Sequence, residues 1–114
     1  MRRALKPIRW EGDSLQLVRL YPEPVRQMIG YELELLQRGI EPTDWKPMGS
    51  VGPSVNELRF HHEGEYRVLY VAKYQEAIYV LHVFQKKSRK TARTDLELAK
   101  LRWERLRRRR SEEA

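Results

Sequence analysis

The hydrophobic and polar positions along the chain follow two periods, and the longer one predicts helices in the first third. One set of apolar residues recurs at helical spacing: Val25, Ile29, Leu33 and Leu36. Two prolines precede this set, where a first helical turn tolerates their missing N–H groups, and Gly39 follows it where a left-handed C-cap belongs. A shorter helix is predicted over 15–20, with Asp13 or Ser14 as its N-cap.

The β-branched and aromatic residues that favour strands concentrate in three segments of the second half, 55–60, 66–74 and 77–84. The last is an almost continuous apolar run, which predicts a central strand covered on both faces. Because short turns join the three segments, they are expected to pair as an antiparallel meander. A short strand is predicted over 8–10, and the stretch 39–54, punctuated by proline and glycine, is predicted to be loop.

A final helix is predicted from a capping box at Thr94-Asp95-Leu96-Glu97, in which threonine and glutamate satisfy each other's free N–H groups. Its apolar stripe follows at helical spacing: Leu96, Ala99, Trp103 and Leu106. The order β-α-α-β-β-β-α predicts one α+β domain over residues 1–114, with a small antiparallel sheet packed by two N-terminal helices and a C-terminal helix. Residues from about 108 to 114, first basic and then acidic, are predicted to form a disordered tail.

Charge indicates an anionic partner for this small domain. The 114 residues contain 23 Lys and Arg against 16 Asp and Glu, which gives a formal net charge of +7. Twelve of the basic residues lie between Lys86 and Arg110, where only three acids occur. Nucleic acid is the commonest partner of such a surface, although a solvated basic helix explains the same run of charge.

Several classes of protein are excluded by what the sequence lacks. Cysteine is absent, so disulfides and thiolate metal sites are not available. No apolar run approaches the roughly 20 residues that span a bilayer, and the basic N-terminus has no signal-peptide core. A cytoplasmic protein without a membrane partner is therefore expected. The three histidines lack the spacing of a zinc site and no nucleotide-binding or hydrolase motif occurs, so no metal and no small-molecule cofactor is expected.

A cluster of cations is predicted at one end of the sheet. Arg59 and Arg67 pair across two strands on one face if the loop between them has three or five residues, whereas an even number places them on opposite faces. Lys86 and Lys87 leave the last strand where, in a meander, the preceding strand begins, near Arg67. The four residues would together form one positive site of the size of a phosphate group.

Such a site suits cleavage of RNA by its own 2′-hydroxyl, which attacks the adjacent phosphorus and leaves a cyclic phosphate. Arginine stabilises the charge that builds on the phosphoryl oxygens, and a lysine crowded by other cations exchanges protons more readily. Glu57 or His82 would supply a base if its side chain reached the site. Three further cations are predicted to contact RNA: Lys46, Lys90 and Arg93.

Each of these residues also has a structural explanation. Exposed charges at strand ends account for the cluster equally well, and Arg67 can pair with Glu57 or Glu65 across the hairpin. His82 lies inside an apolar strand, where a hydrogen-bonded core histidine is common. The arginine run from 107 to 110 can be a solvated end that adds only non-specific attraction for phosphate.

Four short segments, in matching order and spacing, resemble the phage-derived HigB-like proteins of the RelE/ParE toxin superfamily: Asp44-Trp45-Lys46-Pro47-Met48, Glu57-Leu58-Arg59, Tyr66-Arg67-Val68-Leu69-Tyr70-Val71 and His82-Val83-Phe84-Gln85-Lys86-Lys87-Ser88. The similarity extends from Lys6 to about Arg107 and implies a RelE-like fold. It also implies the toxin of a type II toxin–antitoxin system, a ribosome-dependent mRNA endoribonuclease. Its partners would be the ribosome, mRNA and a cognate helix-turn-helix antitoxin of the HigA type.

The resemblance places the functional cations of the family on Arg59, Arg67, Lys86 and Lys87. Some members also use a late tyrosine or histidine as acid or base, and this chain has neither beyond His82. Two other functions therefore stay open: a non-catalytic module that binds nucleic acid or a host protein, and inhibition of DNA gyrase as in ParE-like members. The basic cluster favours RNA cleavage over gyrase inhibition.

Overall fold

A computed structural model describes residues 5–113 as a five-stranded sheet with three helices. Residues 1–4, which belong to the basic N-terminus, and Ala114, at the end of the predicted tail, lie outside the described residues. In chain order the elements are β1 (Ile8–Trp10), α1 (Ser14–Leu20), α2 (Glu23–Gln37), β2 (Trp45–Pro47), β3 (Asn56–His61), β4 (Glu65–Val71), β5 (Ile78–Lys86) and α3 (Arg93–Glu113). The predicted α+β class is confirmed, and the arrangement is compatible with a RelE-like fold.

The sheet has the strand order β1-β5-β4-β3-β2 and differs from the prediction in two ways. It is mixed rather than wholly antiparallel, because β1 pairs parallel with β5, Ile8 opposite Ile78. The stretch 39–54, predicted as loop, contains β2, which pairs antiparallel with β3 at the edge of the sheet. Three residues are too few to show a strand period. Pro47 is tolerated there because an edge strand can present its missing N–H to solvent.

Helix α2 covers one face of the sheet, as its apolar stripe predicts. Its four stripe residues are all buried, and they pack against apolar side chains of β3, β4 and β5. The helix ends before Gly39, whose φ of +74° is the left-handed conformation that glycine adopts without steric cost. The predicted C-terminal signal is therefore confirmed.

Helix α3 covers part of the opposite face. Ala99, Trp103 and Leu106 are buried against a second apolar cluster that includes Leu69 and Leu81. Strand β5 is thereby covered on both faces, and its first seven residues are buried, as the apolar run predicted.

The start of α3 lies before the predicted capping box. Leu96 donates its backbone N–H to the carbonyl of Ala92 at 3.1 Å, so Thr94 is inside the first turn and does not cap it. The capping-box prediction is wrong. The first turn contains an ion pair at i,i+4 spacing instead, in which Arg93 Nε lies 2.8 Å from Glu97 Oε1.

The prediction of a disordered tail is wrong for residues 108–113, because α3 continues to Glu113. Its last arginines bind acids that are distant in sequence. Arg109 Nη2 lies 2.8 Å from Glu11 Oε1, and Arg110 Nε lies 2.8 Å from Glu76 Oε2. The Arg110 guanidinium also stacks over the Tyr74 ring, 3.5 Å from its centroid. Within residues 5–113, no helix has the length together with the apolar character that crossing a membrane requires.

The ion pair between Arg110 and Glu76 makes the stability of the fold depend on pH in the acidic range. The hydrogen bond from Arg110 lowers the pKa of Glu76 from 4.5 to about 2. A lowered pKa in the folded state stabilises the protein fully above pH 4.5, and this contribution is lost as the pH falls towards 2. Because the pair is exposed, we expect Glu76→Gln to lower the free energy of unfolding at pH 7 by less than about 1 kcal/mol.

Urea unfolding of wild type and Glu76→Gln at pH 7 and pH 2.5 measures this effect. The difference in unfolding free energy should be largest at pH 7 and shrink at pH 2.5, and Glu112→Gln on the exposed side of α3 is the matched control. An equal difference at both pH values would contradict the prediction.

Candidate active site

The β3–β4 hairpin places Arg59 directly opposite Arg67. Three residues, 62–64, join the strands. Because this number is odd, the two arginines lie on the same face of the sheet, which was one of the two predicted alternatives. This is the face on which α3 packs, because Leu69 lies two residues beyond Arg67 along β4 and belongs to the α3 cluster. The arginines occupy the same face farther from α3, towards the hairpin turn.

A buried carboxylate lies at the centre of these cations. Glu57 Oε1 is 3.6 Å from Arg67 Nε, 3.9 Å from Arg59 Nε and 3.9 Å from Lys46 Nζ. We refer to Lys46, Arg59 and Arg67 as the cationic cluster. Because the Glu57 side chain is only 2% exposed, its charge needs nearby cations to offset the loss of water. One carboxylate among three cations leaves the cluster with a net positive charge.

One residue of the cluster is buried, and the other two are accessible to solvent. The Arg67 side chain is 3% exposed and is fixed by donating from Nη1 to the Tyr66 carbonyl at 3.0 Å and from Nη2 to Glu65 Oε1 at 3.2 Å. By contrast, the Arg59 side chain is 34% exposed and that of Lys46 is 50% exposed. Direct contact with a phosphate is therefore open to Arg59 and Lys46, whereas Arg67 acts from beneath them. The predicted pairing of Arg67 with Glu57 and Glu65 is also present.

The remaining predicted cations differ in their distance from the cluster. Lys86 lies opposite Glu65 and faces the same side of the sheet as Arg67, so the structure places it at the same end of the sheet. Lys87 and Lys90 are exposed on the loop after β5, and Arg93 is the first residue of α3. The structure thus unites three of the predicted residues around Glu57 and adds Lys86 beside them. The other three form a separate basic segment.

His82 is held by α3 rather than by the cluster. Its Nε2 lies 2.7 Å from Asp95 Oδ1, its Nδ1 lies 3.4 Å from Arg102 Nη1, and its side chain is 5% exposed. Phe84 stacks on its ring with centroids 5.4 Å apart and separates it from Lys86 along the strand. The core role considered for this histidine agrees with these contacts. Arg102 also binds Asp13 at 2.7 Å, and that hydrogen bond lowers the pKa of Asp13.

Sequence reasoning missed His61, the last residue of β3. Residues 57, 59 and 61 share one face of a strand, so His61 lies beside Arg59 at the open end of the sheet. Its Nδ1 is 2.7 Å from Glu65 Oε2 and its Nε2 is 3.0 Å from Asp44 Oδ2. Hydrogen bonds with Glu65 and then Asp44 raise the pKa of His61. Alternate residues of a strand share one face, so the sequence positions of Glu57 and Arg59 could have indicated that His61 lies on their face.

The chemistry available here is stabilisation of an anion by fixed donors. The three cations converge on Glu57 Oε1, and the two that are accessible, Arg59 and Lys46, can also offer donors to an anion such as a phosphoryl group. Across residues 5–113, no group of three or more histidine, aspartate or glutamate side chains is arranged to hold a metal ion.

Comparison with known families agrees with this architecture. Residues 17–104 match the family described as Phage derived protein Gp49-like (DUF891). The chain belongs to this family. The Gp49-like region contains α2, strands β2 to β5 and half of α3, and therefore the whole cationic cluster together with His61. No curated protein matches the chain.

Membership of the Gp49-like family confirms the predicted relationship at the level of a phage-derived, RelE-like family. It is consistent with a toxin-like module. The assignment to HigB-like toxins in particular stays a prediction, as does any specific activity.

Proposed function

We propose that this Gp49-like protein is the toxin of a type II toxin–antitoxin pair, of the HigB-like kind, and that it cleaves mRNA on the ribosome. The observation that carries the proposal is the cationic cluster. Arg59 and Lys46 are accessible, Arg67 is fixed beneath them, and Glu57 holds all three at one point. A surface that served only non-specific attraction would not need a buried arginine and a buried carboxylate, which are costly to place in a small domain.

In the proposed reaction the RNA supplies its own nucleophile. The 2′-hydroxyl oxygen attacks the adjacent phosphorus, the bond to the 5′ oxygen breaks, and the products are a 2′,3′-cyclic phosphate and a 5′-hydroxyl. Arg59 and Lys46 bind the phosphoryl oxygens, on which negative charge increases in the transition state. Lys86 extends the positive surface along the RNA backbone at the same end of the sheet.

The partners of this activity are the ribosome, mRNA and a helix-turn-helix antitoxin of the HigA type encoded beside the toxin. The net charge of +7 supports a partner that presents acidic groups. We propose that an acidic segment of the antitoxin covers the cationic cluster and so blocks the phosphate site.

Induced expression in bacteria, with growth and mRNA 5′ ends recorded together, tests the function. Wild type should arrest growth and create new mRNA ends, and co-expression of the neighbouring antitoxin gene should restore growth. Arg59→Ala should reduce the new ends about tenfold, because it removes one charge-assisted hydrogen bond of roughly 1.5 kcal/mol while Lys46 remains.

Arg26→Ala, which removes an exposed arginine of α2, is the matched control and should behave as wild type. Growth arrest without new mRNA ends would instead favour gyrase inhibition or binding of a host protein. Normal growth in the absence of the antitoxin would contradict a toxin function altogether.

A further inference from the structure

Cleavage of the bond to the 5′ oxygen calls for a proton donor, since an unprotonated alkoxide leaves with difficulty. Arginine does not serve, because its guanidinium stays protonated in proteins. His61 is a titratable side chain close to the cationic cluster. It lies two residues from Arg59 on the same face of β3, and its side chain is 54% exposed. A phosphate bound by Arg59 would therefore lie within reach of its ring.

The imidazole of His61 is held in a fixed orientation by a carboxylate. Glu65 binds Nδ1 and at the same time accepts a hydrogen bond from the buried Arg67. Nε2 is bound by Asp44, whose side chain is itself 43% exposed. A carboxylate on one ring nitrogen, with the other nitrogen turned to the substrate, is the arrangement that orients histidine in acid–base catalysis. Substrate would replace Asp44 at Nε2.

The charges around His61 favour its protonated form. Glu65, on β4, and Asp44, in the segment before β2, are the acids that bind the ring and raise its pKa, and Glu65 stays bound when substrate replaces Asp44. Arg67 and Arg59 are the cations of this end of the face, but Arg67 is bound to Glu65 and both lie near Glu57. A raised pKa increases the fraction of His61 that is protonated and can therefore give a proton.

We propose that His61 is the catalytic proton donor of the cleavage step, an assignment that rests on the proposed function. The 2′ oxygen forms its bond to phosphorus and releases its proton to water. The bond between phosphorus and the 5′ oxygen breaks, and Nε2 of His61 gives its proton to that oxygen. The neutral imidazole then regains a proton from solvent.

Single-turnover cleavage of mRNA on purified ribosomes tests the assignment. His61→Ala should cleave about 10²-fold more slowly than wild type, the usual effect of losing a general acid. His62→Ala, which removes the neighbouring imidazole of the turn, is the matched control and should cleave at the wild-type rate. The wild-type rate should fall as the pH rises through the pKa of His61, which hydrogen bonds with Glu65 and Asp44 raise from its ordinary value. His61→Ala should lack this decrease.

A substrate with sulfur in place of the 5′ bridging oxygen separates proton donation from a structural role. A thiolate leaves without protonation, so His61→Ala should cleave this substrate nearly as fast as wild type does. The assignment would be overturned if His61→Ala cleaved the oxygen substrate at the wild-type rate. It would also be overturned if His61→Ala were slower than wild type by the same factor with both substrates. If wild-type protein cleaves neither substrate, the proposed function itself fails, and that result is distinct from failure of the His61 variant alone.

Discussion

In the proposed cleavage of mRNA on the ribosome, Arg67→Ala is expected to lower the rate by about 10²-fold, more than Arg59→Ala, because it removes a buried positive charge and also releases two carboxylates beneath the phosphate site. Arg67 acts in two ways from beneath the cationic cluster. Its charge lies beneath the proposed phosphate site, and it pairs with both Glu57 and Glu65. Removing it takes away charge and frees two carboxylates to approach the substrate.

The same substitution also affects stability, because it leaves Glu57 buried with fewer cations. We expect a loss of about 2 kcal/mol, below the roughly 3–5 kcal/mol of a fully unpaired buried charge, since Lys46 and Arg59 remain. Arg67→Lys keeps the charge but loses the fork that binds Tyr66 and Glu65, so its cleavage rate should lie between those of wild type and Arg67→Ala.

The double variant Arg67→Ala/Glu57→Gln distinguishes the two effects. Neutralising Glu57 removes the unpaired buried charge, so urea unfolding should show stability recovered towards wild type. Cleavage should stay low, because the positive charge beneath the phosphate is still missing. Recovery of the cleavage rate together with stability would show that Arg67 has only a structural role.

Trp103→Ala should have the largest effect on folding, a loss of about 3–5 kcal/mol of unfolding free energy. The indole of Trp103 is 2% exposed, stacks on Tyr74, and packs against the loop before β3. That loop contains Gly52, whose hydrogen in place of a Cβ allows the indole to approach the backbone. A Cβ at Gly52 would overlap the Nε1 end of the ring. Gly52→Ala should therefore destabilise the protein by about 1–3 kcal/mol through overpacking.

A double-mutant cycle measured by urea unfolding tests this contact. If the indole is what excludes a side chain at position 52, Gly52→Ala should cost little once Trp103 is alanine, and the two effects should fall well short of additive. Strict additivity would show that the two residues do not interact. Leu101→Ala, on the exposed side of α3, is a control that should change stability little.

The fold was predictable where neighbours in sequence determine it. The helical period of the stripe on α2 and the nearly unbroken apolar run of β5 each indicate burial directly. The parallel pairing of β1 was not predictable, because nothing near Ile8 indicates a partner as distant as Ile78. The helical end of the chain was missed for the same reason: Arg109 and Arg110 are ordered by Glu11 and Glu76, and sequence alone does not bring those acids near.

The candidate site was predictable to the extent that register rules apply. Pairing of Arg59 with Arg67 depended on the parity of one loop, which left two alternatives until the loop was known to span three residues. His61 was missed because the predicted strand ended at residue 60, and a boundary error of one residue moved it into the turn. The role of Glu57 required distances, since a carboxylate on a strand face has many possible partners.

The parallel pairing of β1 with β5 has a consequence for the order in which the chain assembles. Ile8 meets Ile78 only after nearly the whole sheet has been synthesised, whereas Arg59 meets Arg67 within a single hairpin. Closing the longer loop costs about 2 kcal/mol more in chain entropy than closing the hairpin. Local contacts form before distant ones when stability is similar. The hairpin that carries Arg59 and Arg67 can thus form early, and the N-terminal strand is the element that joins the sheet late.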